Sequence, residues 1–223
     1  MKLYYHPAST TSRTVMLFAA ETKIALDMQI VDLFTGEHYQ PPFEGINPNH
    51  LVPVLEDGDF RLTESSAILK YLAEKAGSPW YPKELQARAR VNERMDWVNT
   101  QLCRDLAYGT VYPQIFATHK RRSDEAHAAT LQWGKERAQG WLKVMNDHFL
   151  GSQPWLAGPS ITIADHFAAP FVALAELVGS DFSAYPKVRA WLARMKALPS
   201  WAPTFAAIDG YGATLPRETL QAV

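Results

Sequence analysis

The sequence predicts a small α/β domain over residues 1–77, a linker over 78–86, and an all-α helical bundle over 87–223. Three observations carry this reading. Short apolar strand patterns alternate with helical ones through the first domain. Strand signals stop after Pro82. Beyond it, five stretches have helical length or helical spacing of their apolar residues.

Taken in order, Leu3-Tyr4-Tyr5 is a short aromatic strand that His6-Pro7-Ala8 breaks. Val15, Leu17, Phe18 and Ala19 then suit a packed helix over 11–21. Met28, Ile30 and Leu33 read as a second strand. Residues 35–50 carry Gly36, Pro41, Pro42, Gly45 and Pro48, so that stretch reads mostly as loop with at most a short helix. Pro53-Val54-Leu55-Glu56, Asp57-Gly58-Asp59 and Phe60-Arg61-Leu62 form a β-hairpin pattern. After Thr63-Glu64-Ser65-Ser66, the residues Ala67, Ile68, Tyr71 and Leu72 recur at helical spacing until Gly77. Residues 84–116 and 124–150 have the length of two long helices, with Gly109 and Pro113 as weak points in the first. Shorter helices are expected over 162–178, 186–197 and 201–208, with Pro170 kinking the first or releasing one hydrogen bond.

Composition narrows the function classes. Twenty-two basic residues face 23 acidic ones, a formal net charge of -1, which gives no reason to expect nucleic acid or a membrane surface as partner. Cys103 is the single cysteine, so no intrachain disulfide and no cysteine-based metal site is expected. The start Met1-Lys2-Leu3-Tyr4-Tyr5-His6 lacks a signal-type apolar run, and the apolar run over 167–175 is too short to span a bilayer. The expectation is a cytoplasmic protein without a metal.

Two constellations carry chemistry. Ser9 and Ser12 lie between the first strand and helix, where a thioredoxin-like layout would place a C-x-x-C pair. A helix N-terminus favours an anion, and a serine hydroxyl there can donate a hydrogen bond to a bound thiolate. The same serine can equally be a plain helix cap. Asn47-Pro48-Asn49-His50-Leu51-Val52-Pro53 leads into the hairpin, and Glu64-Ser65 opens the next helix. A cis Val52–Pro53 bond would expose the N–H and C=O of Val52 to an extended peptide; a trans bond would make an ordinary turn. Ser65 and nearby amides suit a carboxylate, and Glu64 suits an ammonium, unless both are simple caps. Together these parts suit a short peptide with an amino-acid head, a thiol and a second carboxylate.

The ordered set resembles the glutathione transferase family, particularly its serine-type delta and theta classes and their bacterial relatives. It comprises Leu3-Tyr4-Tyr5-x-Pro7-x-Ser9, Asn47-Pro48-x-His50-x-Val52-Pro53, Glu64-Ser65-x-Ala67-Ile68, Tyr81-Pro82-Lys83 and Thr162-Ile163-Ala164-Asp165. The resemblance implies a thioredoxin-like first domain, glutathione as co-substrate, a homodimer, and a small hydrophobic electrophile bound against the helical domain. It gives Ser9 as the donor to the glutathione sulfur. His38 and His50 become contacts to the glycine carboxylate, and Val52 with Pro53 the backbone partner of the cysteinyl unit. Glu64 and Ser65 hold the γ-glutamyl head. Tyr108, Tyr112, Ile115 and Phe116 are candidate walls of the second-substrate pocket, or core.

The departures are Ser66 in place of an arginine common in delta-type members, Ser12 in place of a cysteine and Thr11 in place of a proline. Gln101 or Arg104 from the next helix, of this chain or of a partner subunit, are candidates to replace the missing cation. The expected activity is transfer of glutathione to an electrophile. Its rivals are glutathione-dependent reduction of disulfides or peroxides in the same site, and a non-catalytic binding or interaction protein. Thr162 and Asp165 are spaced as a capping box and read as structural.

Overall fold

The computed structural model describes all 223 residues. β1 (Lys2–Tyr5), α1 (Thr10–Glu21) and β2 (Asp27–Ile30) form the first unit. The two strands pair in parallel, which requires a crossover, and α1 supplies it. A 3₁₀ turn (Glu37–Tyr39) and the short α2 (Pro41–Glu44) occupy the stretch expected to be mostly loop. Proline is tolerated at the first helical positions because its missing N–H would have no partner there. The hairpin β3 (Val54–Asp57) and β4 (Phe60–Leu62) turns at Gly58, whose φ of 61° suits glycine. The four strands lie in the order β2-β1-β3-β4, with β3 antiparallel to both of its neighbours. α3 (Ser65–Lys75) closes this thioredoxin-like domain.

α4 (Leu85–Trp97) continues through wide π-type turns over Val98–Val111 into α5 (Tyr112–Ile115), so Pro113 does not end the rod. α6 (Asp124–Val144) likewise runs on through Met145–Leu150. The two rods cross in contact at Gly134, where an added Cβ would collide with the Gly109 carbonyl. α7 (Ile163–Leu177), α8 (Pro186–Lys196) and α9 (Trp201–Gly212) complete the bundle. α7 holds Pro170 inside it without a break. α9 runs four residues past the expected end at 208, and Gly212 at its end packs tightly on α7 (a Cβ there would meet Leu177 at 2.6 Å).

One hydrophobic cluster of 43 buried residues joins both halves, with α1 packed on α7. The connection is anchored where the Ile163 N–H donates to the Trp80 carbonyl at 3.0 Å. Trp80 also stacks on His166 with centroids 4.7 Å apart, and burial holds that imidazole down to about 4, so it packs as a neutral ring. No helix is long and apolar enough to cross a membrane.

Candidate functional site

The N-terminus of α1 is tied to the loop that ends in Val52, and α3 opens after β4 at Glu64. Ser9 is extended (φ -70°, ψ 126°) and its Oγ accepts the Ser12 N–H at 3.3 Å, so it does cap α1. Capping uses a lone pair and leaves its O–H free to donate. Ser9 Oγ lies 3.0 Å from Thr11 Oγ1. Thr11 in turn donates its own O–H to the Val52 carbonyl at 2.9 Å. The mobile proton of the pair is therefore on Ser9. Thr10 is buried and accepts from Tyr112 Oη at 2.8 Å and from Arg13 Nη2 at 3.2 Å.

The Val52–Pro53 bond is cis. The Val52 N–H has no partner within the protein, whereas its C=O already holds Thr11. The expectation that both groups are open is thus corrected for the carbonyl, which keeps one lone pair for a further donor. Glu64 sits at φ 64°, ψ 110°, a costly backbone for a side chain with a Cβ, and its carboxylate makes no hydrogen bond within the protein. It precedes Ser65, Ser66 and Ala67, whose amides open α3 without internal partners. Ser65 is buried. These amides offer an anion site at a helix N-terminus.

At the far end of the loop, His50 Nδ1 lies 2.9 Å from the His38 carbonyl oxygen, with φ 57° at His50. Tyr39 packs on both rings, at 4.0 and 5.3 Å between centroids. Burial, with His50 adding to it, holds the His38 pKa below the ordinary imidazole value, and its Nδ1 is buried without a partner. Three polar stations result: the amides that open α3 after β4, the Val52 amide, whose carbonyl holds Thr11, and the histidine pair ahead of β3.

The first 74 residues match the family model of the glutathione S-transferase N-terminal domain, and residues 105–194 match that of its C-terminal domain. Human glutathione S-transferase theta-1 is 38% identical over 207 residues, covering 88% of this chain and 82% of that protein. The chain belongs to the glutathione S-transferase family. Among solved structures, human glutathione transferase theta-2, in complex with glutathione and an unknown ligand, superposes with a TM-score of 0.86. It is 32% identical, with 99% of this chain and 92% of that one covered. A delta-class transferase from Nilaparvata lugens gives 0.82 at 31% identity, with 95% and 96% covered.

Of the four proposed wall residues, three form an aromatic row in this transferase. Tyr108 and Tyr112 meet edge to face at 5.0 Å, and Tyr112 lies 5.5 Å from Phe116. Tyr108 is exposed, and the other two are half-buried. Ile115 is the exception: it is buried in the core, and its carbonyl accepts the Tyr211 O–H at 2.6 Å. Sequence reasoning missed the rest of the row. Tyr211 stacks on Phe116 at 5.7 Å and on Phe34 at 6.2 Å, and Phe34 meets His6 at 5.1 Å. His119 packs on Tyr108, Tyr112 and Phe116, and burial lowers its pKa. No spacing in the sequence links Phe34 to Tyr211, so no local pattern marks these rings.

Arg104 is committed within its own helix, pairing with Asp105 at 2.8 Å and with Gln101 at 3.2 Å. In this chain it serves the buried Asp105, which also accepts the Trp141 N–H at 2.7 Å.

Proposed function

We propose that this glutathione transferase activates the thiol of glutathione at Ser9 and directs it at small, flat, apolar electrophiles. The observation that carries the reading is the Ser9–Thr11–Val52 chain. It places the Ser9 hydroxyl proton, donated to Thr11 Oγ1 within the protein, at the positive end of α1, where a bound thiolate can compete for it, beside an amide that an extended peptide can pair with. In this reading the α3 amides, Ser65 and Glu64 take the γ-glutamyl head. Val52 pairs with the cysteinyl unit, ahead of Pro53, and His38 with His50 takes the glycine carboxylate. The row Tyr108, Tyr112 and Phe116, extended by Tyr211 and Phe34, supports an aromatic second substrate through ring stacking.

The energetics suffice. A free thiol titrates near 8.5, and lowering that by two units takes about 2.7 kcal/mol of preference for the thiolate. One charge-assisted hydrogen bond contributes about 1.5–3 kcal/mol, and a helix N-terminus about 0.3–1 more. The thiolate then forms a carbon–sulfur bond, and the leaving group departs with the electrons of the bond that breaks. A reductase reading would have to run through two glutathiones, because the protein offers no usable thiol: Cys103 is buried, and burial pushes its pKa up to about 12.

The deciding experiment compares turnover of a chloronitroaromatic, a hydroperoxide and a glutathione mixed disulfide. Conjugation of the first should dominate; turnover confined to the other two would overturn the reading. We further propose a homodimer. Exposed apolar residues on the hairpin and α4, Phe60 at 48% and Leu85 at 79%, are consistent with a covered surface. Sedimentation should show twice the 25.0 kDa chain mass at micromolar concentration. A stable monomer would reject it.

A further inference from the structure

A separate cavity of about 350 Å³ lies between α1, α7, α8 and α9. Neither Ser9, Val52 and Glu64 nor the row from Tyr108 to Phe116 lines it. Its lining includes Trp201 and Phe205, which stack at 3.7 Å with ring planes 10° apart, and the buried Leu177 and Ile208. Exposed Asp209 and Arg217 also line it, and neither makes an ion pair within the protein.

Arg13 is the unusual member. Its residue is 1% exposed, yet no carboxylate lies within ion-pairing distance of the guanidinium. Nη2 donates to Thr10 at 3.2 Å, and Nε is buried with no partner. The Phe205 ring, 4.7 Å from Cζ, offsets part of the desolvation through its π face. Burial holds the Arg13 pKa down to about 10, against the field of Tyr112 and Asp209, so the group stays a cation at neutral pH. A buried, unpaired cation is costly, and an anion in the cavity would recover part of that cost.

We infer that this cavity is a second ligand site, for a small aromatic monocarboxylate whose anionic end pairs with Arg13 and whose rings lie against Trp201, Leu177 and Ile208, the two faces of Phe205 being covered by Trp201 and Arg13. The charge count fits a single negative charge. Arg13, Lys196 and Arg217 face Glu176 and Asp209, and Lys196 is already paired with Glu176 at 2.6 Å. The volume falls in the range of small-molecule sites, about 300–1,000 Å³. The inference does not depend on how glutathione is held.

The test is calorimetric titration of 1-naphthoate into the full chain saturated with S-hexylglutathione, which blocks the transferase cleft and its aromatic wall. One equivalent should bind, and the neutral 1-naphthalenemethanol should bind at least tenfold more weakly. Arg13→Met should weaken 1-naphthoate by about ten- to a hundredfold, the loss of one charge-assisted hydrogen bond. Because a core variant can fail to fold, two surface variants carry the test independently. Arg217→Ala should weaken binding and Asp209→Asn should tighten it, each by roughly threefold, as expected for exposed charges. No binding beside S-hexylglutathione, equal affinity for the alcohol, or no response to either surface variant would each overturn the assignment.

Discussion

Asp165→Ala is expected to cost at least about 3 kcal/mol of stability, out of the roughly 5–15 kcal/mol that typically separates a folded domain from its unfolded chain. Asp165 is completely buried, and four donors converge on it. Leu156 N–H and Trp191 Nε1–H each reach Oδ1 at 2.9 Å. Thr162 gives its N–H at 2.8 Å and its hydroxyl at 3.0 Å to Oδ2. Burial pushes this carboxyl up, and the four donors pull it back. The side chain thereby ties the start of α7 to α8 and to the loop at Leu156. Alanine strands three N–H groups in the core at about 1–3 kcal/mol each, while the hydroxyl can turn elsewhere. Asp165→Asn should fall between, since the amide oxygen keeps two of the donors and its NH₂ opposes the others. Denaturant unfolding followed by circular dichroism measures both, and in a Trp191→Phe background the alanine change should cost less, because one stranded donor is already gone. A loss below about 1 kcal/mol in Asp165→Ala would show that the network does not hold the bundle together.

Asp165 also illustrates what is readable from sequence. The Thr-x-x-Asp spacing predicts its bond to the Thr162 N–H, because a helix cap is a local device. Its bond to Trp191 arrives from another helix, and no local pattern signals it. The same division runs through the site. Ser9, the Val52–Pro53 segment and Glu64-Ser65 are turn and cap residues whose backbone roles their sequence neighbours dictate, so their places at helix starts and before β3 are legible in the sequence. The aromatic row is different. Phe34 and Tyr211 meet because α9 folds back over the loop after β2, a tertiary event. Ile115 and Phe116 are neighbours in sequence, so their side chains leave the helix end in different directions, and Ile115 enters the core while Phe116 stays in the row. Arg13 shows the same limit, since an arginine on a helix gives no sign of burial until α7 and α9 pack over it.

Ser9→Ala should raise the pKa of bound glutathione by about one to two units, the loss of one charge-assisted hydrogen bond to the thiolate. Turnover at neutral pH should therefore fall roughly ten- to a hundredfold and recover in part at high pH, where the thiol ionises unaided. Glutathione affinity should change less, because Val52, Glu64, Ser65 and the histidine pair do not touch the altered group. The substitution also removes the cap on α1, worth about 1 kcal/mol, so unfolding must be measured alongside to keep the two effects apart. Ser9→Thr, which restores both the cap and the donor, should recover most of each. The two neighbouring threonines give distinct controls. Thr11→Val removes the donor to the Val52 carbonyl and the acceptor beside Ser9, so it should weaken glutathione binding more than it shifts the thiolate. Thr10→Val releases Tyr112 and the buried Arg13, so its effect should fall on stability and on the electrophile's KM. Ultraviolet titration of the bound thiolate across pH distinguishes the three variants in one measurement. An unchanged thiolate pKa and turnover in Ser9→Ala, together with their loss in Thr10→Val or Thr11→Val, would move the sulfur contact from Ser9 to that threonine.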